Sequence, residues 1–267
     1  MAVNVVLVDL EQARSAVQLA AKQVSELVRS LPDPQAFVPG LDWTVGQTAA
    51  HLVAAAVNYP RFATGQATPE DTIDLREGNL ERIRQVGGHD LIELADLLVE
   101  ETDRYLERTA DLSADHRVPF FGGVTVSLAA QTGILLGEYV IHGHDLARSA
   151  GKPWPIDPSH AVVVIGALTT LLPRYLDSEA ARGVKVAYDI RIRGGPRFVF
   201  RVAGNEAAVE LGPGSTVDCR ISADPVAFLL VAYGRQPQWR PVLLGRMTAW
   251  GRRPWRAFAL KRLLVNP

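Results

Sequence analysis

Glu138 and His142, four residues apart in an apolar stretch from Val126 to Ala150, are the side chains best placed to do chemistry. At about 100° per residue, a helix through this stretch gathers Gln131, Glu138, His142 and Asp145 within roughly 60° of one another. Ile134 and Ile141 border that strip on one side, and Leu128, Leu135 and Leu146 on the other. Ionisable groups thus fall in the middle of a face that has to be buried. A carboxylate in such a place costs several kcal/mol unless it is paired, hydrogen-bonded or bound to a metal. Two explanations stay open on spacing alone. A Glu–His hydrogen bond that only fixes helix packing satisfies both groups. Alternatively, side chains at i and i+4 converge on one ion, as the two histidines of H-E-x-x-H do.

His51 supplies a third donor. It lies in a stretch that starts with a helix signal, Thr44 as N-cap and Gln47 three residues on to close a capping box, and that runs to about Ala63. On that helix His51 shares a strip with Thr44, Gln47, Thr48, Ala54, Ala55, Asn58 and Phe62, and its small neighbours leave room beside the ring. Alone, such a histidine reads as a satisfied core residue. Together with Glu138 and His142 it makes a set of nitrogen and oxygen donors, two from one helix and one from another, that suits a catalytic zinc site with an open position. The donor set does not separate zinc from nickel or iron.

The elements that must position these residues follow from periodicity. Asp9 to Leu31 reads as an amphipathic helix closed by Pro32-Asp33-Pro34, and Thr68 to Gln85 as a charged helix ended by Gly87-Gly88. Asp90 to about Ala110 is a further long helix with a solvated acidic face. Arg117 to Val126, with Phe120-Phe121-Gly122-Gly123, reads as a loop or short extended piece leading into the helix that carries Glu138. Four long helices with short connections predict an antiparallel bundle over residues 1–155.

Gly151-Lys152-Pro153-Trp154-Pro155 marks the boundary with a second domain, residues 156–267. There an apolar helix from Pro158 to about Leu176, which Pro173 kinks or cuts short, precedes a switch to period two. Val184, Val186, Tyr188, Ile190 and Ile192 alternate with Lys185, Asp189, Arg191 and Arg193, and Gly194-Gly195-Pro196 turns the chain into Phe198, Phe200 and Val202. Short strands are expected at Ala207 to Leu211, Thr216 to Ser222 and Arg246 to Trp250. A helix capped by Asp224 with Pro225 at its first position ends at Gly234, and another is expected from Pro254 to Val265. The fold class is therefore α+β, a helical bundle followed by a smaller α+β domain.

Composition bounds the function. The chain has 267 residues, 48% apolar and 21% charged, as in ordinary globular proteins. Its one cysteine, Cys219, excludes an internal disulfide and a thiolate metal cluster, and points to a reducing, cytoplasmic setting. Asp9 and Glu11 interrupt the N-terminal apolar run and no basic segment precedes it, so no secretory signal is expected. Apolar runs such as Ala161 to Leu172 fall short of a bilayer span, and no membrane partner is expected. From Arg182 onward thirteen Arg and two Lys stand against five acids, a net +10, which leaves −11 for the first 181 residues of a chain whose overall charge is −1. Such opposed halves suit mutual attraction or a basic surface facing an anionic ligand. No reader motif accompanies the arginines, so nucleic acid is not expected as a partner. His89, His116 and His160 sit in polar or loop contexts and read as surface residues.

Trp43-Thr44-Val45-Gly46 leading to Ala50-His51-Leu52, and Glu138-Tyr139-Val140-Ile141-His142-Gly143-His144-Asp145-Leu146-Ala147, resemble the W-T-V…H-L and E-x-x-x-H-G-x-D-L-A motifs of the mycothiol-dependent maleylpyruvate isomerase family. The resemblance extends over nearly the whole chain. It implies a DinB-like metal-binding four-helix bundle joined to a domain like the sterol carrier proteins. It implies that His51, Glu138 and His142 are the ligands of Zn²⁺ or another divalent metal. Asp145 would be an acceptor orienting a histidine. His144 stands where the family has tryptophan and is read as a boundary residue, not a ligand.

The implied cofactor is mycothiol or a similar thiol, held as thiolate by the metal. In the family the thiolate adds to the cis double bond of maleylpyruvate, and rotation followed by expulsion of sulfur gives the trans isomer. This implies an isomerase or thiol S-transferase acting on a small anionic substrate. Arg201, Arg220, Arg235 and Arg246 are the candidates for binding anionic ligand from the second domain. Two other readings remain open, a non-catalytic carrier of an apolar ligand and a partner-binding protein whose ion is structural.

Overall fold

The computed structural model describes residues 7–87 and 90–265. Within them Val8–Ile156 form a helical unit, and the residues from Asp157 on form a second unit around a sheet. The fold class is α+β, as the sequence predicts.

In the helical unit, α1 (Leu10–Arg29), α2 (Val45–Ala63), α4 (Leu91–Arg108) and α5 (Leu128–Ser149) are the four long helices; α3 (Arg76–Val86) packs on α2. α1 packs against α4 and α5, and α2 against the same two. Small and branched residues at helical spacing make these contacts close: Ala13, Val17, Ala20, Ala21 and Val24 of α1 are all buried. The core also holds two polar links between α4 and α5. Tyr105 Oη lies 2.6 Å from Thr132 Oγ1, and Tyr139 Oη lies 2.7 Å from Thr102 Oγ1. Each phenol is buried with its polar atom bonded, and burial raises both phenol pKa values well above the ordinary tyrosine range.

One expectation for this unit is corrected and another is made specific. The charged segment becomes helical only at Arg76, because Glu70 has other duties: its carbonyl accepts from Gly122 N at 3.0 Å and its carboxylate pairs with Arg82. The piece after α4 is a hairpin, β1 (Arg117–Phe120) and β2 (Val124–Ser127), antiparallel with Val118 opposite Val126. Its turn needs Gly122 and Gly123, whose φ angles of 74° and 69° disfavour any side chain.

In the second unit α6 (Pro158–Leu168) precedes a sheet ordered β5-β4-β3-β6-β7: β3 (Lys185–Ile192), β4 (Arg197–Ala203), β5 (Glu206–Leu211), β6 (Cys219–Ala223) and β7 (Met247–Trp250). β3 and β6 are parallel, and the other neighbours are antiparallel. α7 (Pro225–Ala232) starts on the Asp224 cap as expected and packs on α6, while the short α8 (Trp239–Leu243) has no counterpart in the sequence reading. α6 stops at Leu168, ahead of Pro173, and a 3₁₀ turn covers Leu172–Tyr175. The expected C-terminal helix shrinks to α9 (Ala257–Leu260) between 3₁₀ turns, because Leu264 bridges Leu176 and Val265 N donates to Tyr175 O. Among the described residues no helix is long and apolar enough to cross a membrane.

Asp189 departs from the simple alternation. It sits on central strand β3 and is 2% exposed, because Arg197 from β4 clamps its two oxygens at 2.9 and 2.8 Å and Arg220 from β6 lies 3.7 Å away. The hydrogen bonds from Arg197 hold the Asp189 carboxyl below the usual carboxylate range, against the upward push of burial. A folded-state pKa below the unfolded one means stability that is full above about pH 4 and lost as pH falls through the lower folded value. Asp189→Asn should therefore be less stable than the parent at pH 7 and lose less on acidification. Thermal unfolding between pH 7 and pH 3 checks this, and parallel curves for the two proteins would refute it.

Candidate metal centre

Two helices bring the donor set together. The α2 capping box forms as the sequence predicts: Gln47 N donates to Thr44 Oγ1 at 3.2 Å, and Thr44 N to Gln47 Oε1 at 2.9 Å. Two turns on, His51 is 8% exposed and meets Glu138 of α5. His51 Nε2 lies 3.2 Å from Glu138 Oε2, and His142 Nε2 lies 3.5 Å from the same oxygen. One ligand atom from each of His51, Glu138 and His142 lies within 4.8 Å of the other two. Ligands on a tetrahedral zinc ion with bonds of about 2.0–2.1 Å sit about 3.3 Å apart, and the two distances from Glu138 Oε2 to the histidines are close to that. Nitrogen and oxygen donors without sulfur suit zinc, nickel or iron alike.

The surrounding side chains orient these three. Asp145 is fully buried, and its Oδ2 lies 3.4 Å from His142 Nδ1. Tyr59, a residue the sequence reading did not single out, donates from Oη to Glu138 Oε1 at 3.3 Å. Trp43, which entered only as a motif residue, walls the site: its ring centroid lies 4.8 Å from that of His51 and 6.1 Å from that of His142. Gln131, on the predicted strip, is buried and donates from Nε2 to Tyr59 O at 3.0 Å. Arg82 of α3 was missed too. Its guanidinium lies over the Phe121 ring at 5.1 Å and is near enough to His51 to disfavour a positive imidazole there.

Electrostatics separate the two histidines. Burial lowers the pKa of His51, outweighing the upward pull of Glu138, so this ring is held neutral and ready to be a ligand. His142 is also penalised by burial, but hydrogen bonding to Asp145 and Glu138 raises its pKa overall. Burial pushes the Glu138 carboxyl upward, yet bonds to His142 and His51 win and hold it far below the carboxylate range. Glu138 is an anion between two imidazoles, which is the charge a divalent cation needs.

Gly143 has a structural reason to follow His142. A Cβ at this position would run into the Trp154 indole, whose Cε2 would be 2.8 Å away, and Trp154 Nε1 donates to Val140 O at 3.2 Å. Gly143→Ala should lower stability by about 1–3 kcal/mol through overpacking. Urea unfolding measures it, and an unchanged midpoint would show that the indole can move aside.

The remaining predicted residues lie outside this cluster. His144 is half-buried and is not among the three converging donors. His116 is half-buried with a ring nitrogen 2.9 Å from Ala63 O. His160, expected at the surface, is buried in the first turns of α6, where burial lowers its pKa. His89 lies outside the described residues. The four arginines belong to the second unit: Arg201 bonds Glu210 Oε1 at 2.8 Å and Thr216 O, Arg220 is the neighbour of Asp189, Arg235 donates to Tyr233 O at 2.7 Å, and Arg246 is exposed.

Comparison with known proteins bears on the family and the fold. Residues 17–147 match the family described as the mycothiol maleylpyruvate isomerase N-terminal domain. In the solved structures, a mycothiol-dependent maleylpyruvate isomerase is similar over 90% of this chain and 92% of its own, with a TM-score of 0.53 and 19% identity. A single-residue variant of a mycothiol-dependent maleylpyruvate isomerase gives the same coverage and TM-score at 17% identity. At such identities the likeness is one of fold. Among curated proteins none matches the sequence.

Proposed function

Since this chain belongs, through residues 17–147, to the mycothiol maleylpyruvate isomerase family, we propose that it is a metal-dependent enzyme using a low-molecular-weight thiol of the mycothiol type. Its reaction is isomerisation or S-transfer on a small anionic substrate. The observation that carries this reading is the convergence of His51 Nε2, Glu138 Oε2 and His142 Nε2 from two helices. These three residues are the proposed ligands of Zn²⁺ or a related divalent ion, within a DinB-like bundle over residues 1–155. A bound divalent ion would lower the pKa of a thiol beside it, supplying thiolate near neutral pH.

The protein's own groups do the rest. The Asp145 carboxylate, 3.4 Å from His142 Nδ1, favours the ring orientation that leaves Nε2 to the site. The Trp43 ring, tilted beside both imidazoles, forms an apolar wall on one side. The chain brings no available thiol of its own: Cys219, its one cysteine, is buried in the second unit, and burial pushes its thiol up to about 11. A thiol must therefore come from solution, in keeping with the reducing, cytoplasmic setting we propose. The second domain, residues 156–267 and sterol-carrier-like in our reading, offers Arg201, Arg220, Arg235 and Arg246 to an anionic ligand, and the exposed Arg246 is the most available. The test is an isomerisation assay on maleylpyruvate, with thiol-transfer acceptors in parallel, using metal-loaded protein with and without mycothiol. Thiol-dependent turnover that survives Cys219→Ala is expected. Turnover lost with Cys219→Ala in a folded protein would contradict the reading.

A second reading has its own observation. The second unit holds a partly open apolar pocket of about 110 Å³, lined among others by Ile165, Leu168, Phe198, Ile221 and Leu229, with Lys261 the charged residue on its wall. That pocket suits a carrier of an apolar ligand whose metal is structural. Mass spectrometry of material extracted from the native protein separates the two readings, since bound lipid with no thiol-dependent activity favours the carrier.

A further inference from the structure

Glu138 has two oxygens in different company. Oε2 faces His51 Nε2 and His142 Nε2, whereas Oε1 is engaged by Tyr59 Oη at 3.3 Å, the long end of the hydrogen-bonding range. A carboxylate free to turn can offer either oxygen, or both, to a cation. We infer that Tyr59 is a positioning residue that keeps Glu138 Oε1 occupied, so that Glu138 presents Oε2 alone to the ion held with His51 and His142. The inference rests on the metal reading of the site.

Tyr59 is itself held on every side that matters. Its ring is 4% exposed and meets Phe120 of the hairpin edge-on at 5.3 Å and Phe62 at 6.3 Å. Its backbone carbonyl accepts from Gln131 Nε2 at 3.0 Å. Pro60 follows inside α2, fixing φ there and donating no hydrogen bond to the preceding turn. Gln131 and Glu138 are two turns apart on α5, so α5 grips the Tyr59 backbone with one side chain while Tyr59 grips α5 through the other. This reciprocal link gives the buried Gln131 a use, and it explains why a strip otherwise devoted to the ligands contains an amide.

Titration of metal-free wild type, Tyr59→Phe and Tyr105→Phe with Co²⁺, followed by visible absorption, tests this. Tyr105 is the control, a buried phenol bonded to Thr132. Tyr59→Phe should stay folded by circular dichroism, bind Co²⁺ about 10–100-fold more weakly, and show bands shifted and weakened as Glu138 gains freedom to add its second oxygen. Tyr105→Phe should match wild type in both. A Tyr59→Phe protein with wild-type spectrum and affinity would overturn the inference and leave the metal reading standing. Changes shared equally by Tyr105→Phe would reduce Tyr59 to a structural residue and overturn it too. Wild type that takes up no Co²⁺ would overturn the metal reading and the inference with it.

Discussion

His51→Ala should lose divalent metal while the bundle stays folded. Structural zinc held by four ligands contributes about 10–16 kcal/mol, so one of three protein ligands is worth about 3 kcal/mol, or about a 100-fold loss of affinity. The structural cost is small for local reasons. His51 sits among Ala54, Ala55 and Thr48 on a helix whose start is capped elsewhere, and Glu138 keeps its bonds to Tyr59 and His142. Glu138→Ala should lose at least as much, because it removes the one anion between two imidazoles. If instead the His51–Glu138 pair only fixes packing, these variants change the unfolding midpoint and leave metal content as it was. Elemental analysis after dialysis, with competition against a chromophoric chelator, reads the difference. Full metal occupancy in His51→Ala or Glu138→Ala would refute the ligand assignment.

Tyr139→Ala should cost about 3–5 kcal/mol of unfolding free energy, the range for deleting a large buried aromatic side chain. Tyr139 is fully buried beside Glu138, and its hydroxyl reaches Thr102 on α4. Removing the ring opens a cavity in the bundle core, where the helix that carries two proposed ligands reaches across to α4. Tyr139→Phe should cost only about 1 kcal/mol, because Thr102 Oγ1 keeps its bond to Leu98 O at 2.6 Å. Denaturant unfolding of the two variants separates ring from hydroxyl. Equal losses would mean that the hydroxyl link, not packing, secures this part of α5.

Much of the helical unit was legible because its signals are local. The Thr44–Gln47 box, the apolar spacing of α1 and the strip through Glu138 and His142 each depend on residues within two turns of one another, and each appears where expected. What escaped depends on partners distant in sequence. Glu70 leaves the helical path to receive Gly122, 52 residues on. Tyr59 becomes part of the site only because Gln131 and Glu138 come to it from α5. Asp189 looked solvated in an alternating strand and is buried because two arginines from neighbouring strands meet it. His160 looked like a surface residue from its polar flank, yet it faces inward with Val163 and Val164. The role of Gly143 becomes visible only once Trp154 folds back over α5.

The most direct test of the metal centre is a crystal of the zinc-loaded protein, with anomalous difference maps recorded on both sides of the zinc absorption edge. One peak per chain is expected, within bonding distance of His51 Nε2, Glu138 Oε2 and His142 Nε2. Stoichiometric zinc giving its peak elsewhere, or the three side chains keeping their direct hydrogen bonds with no peak between them, would contradict the account.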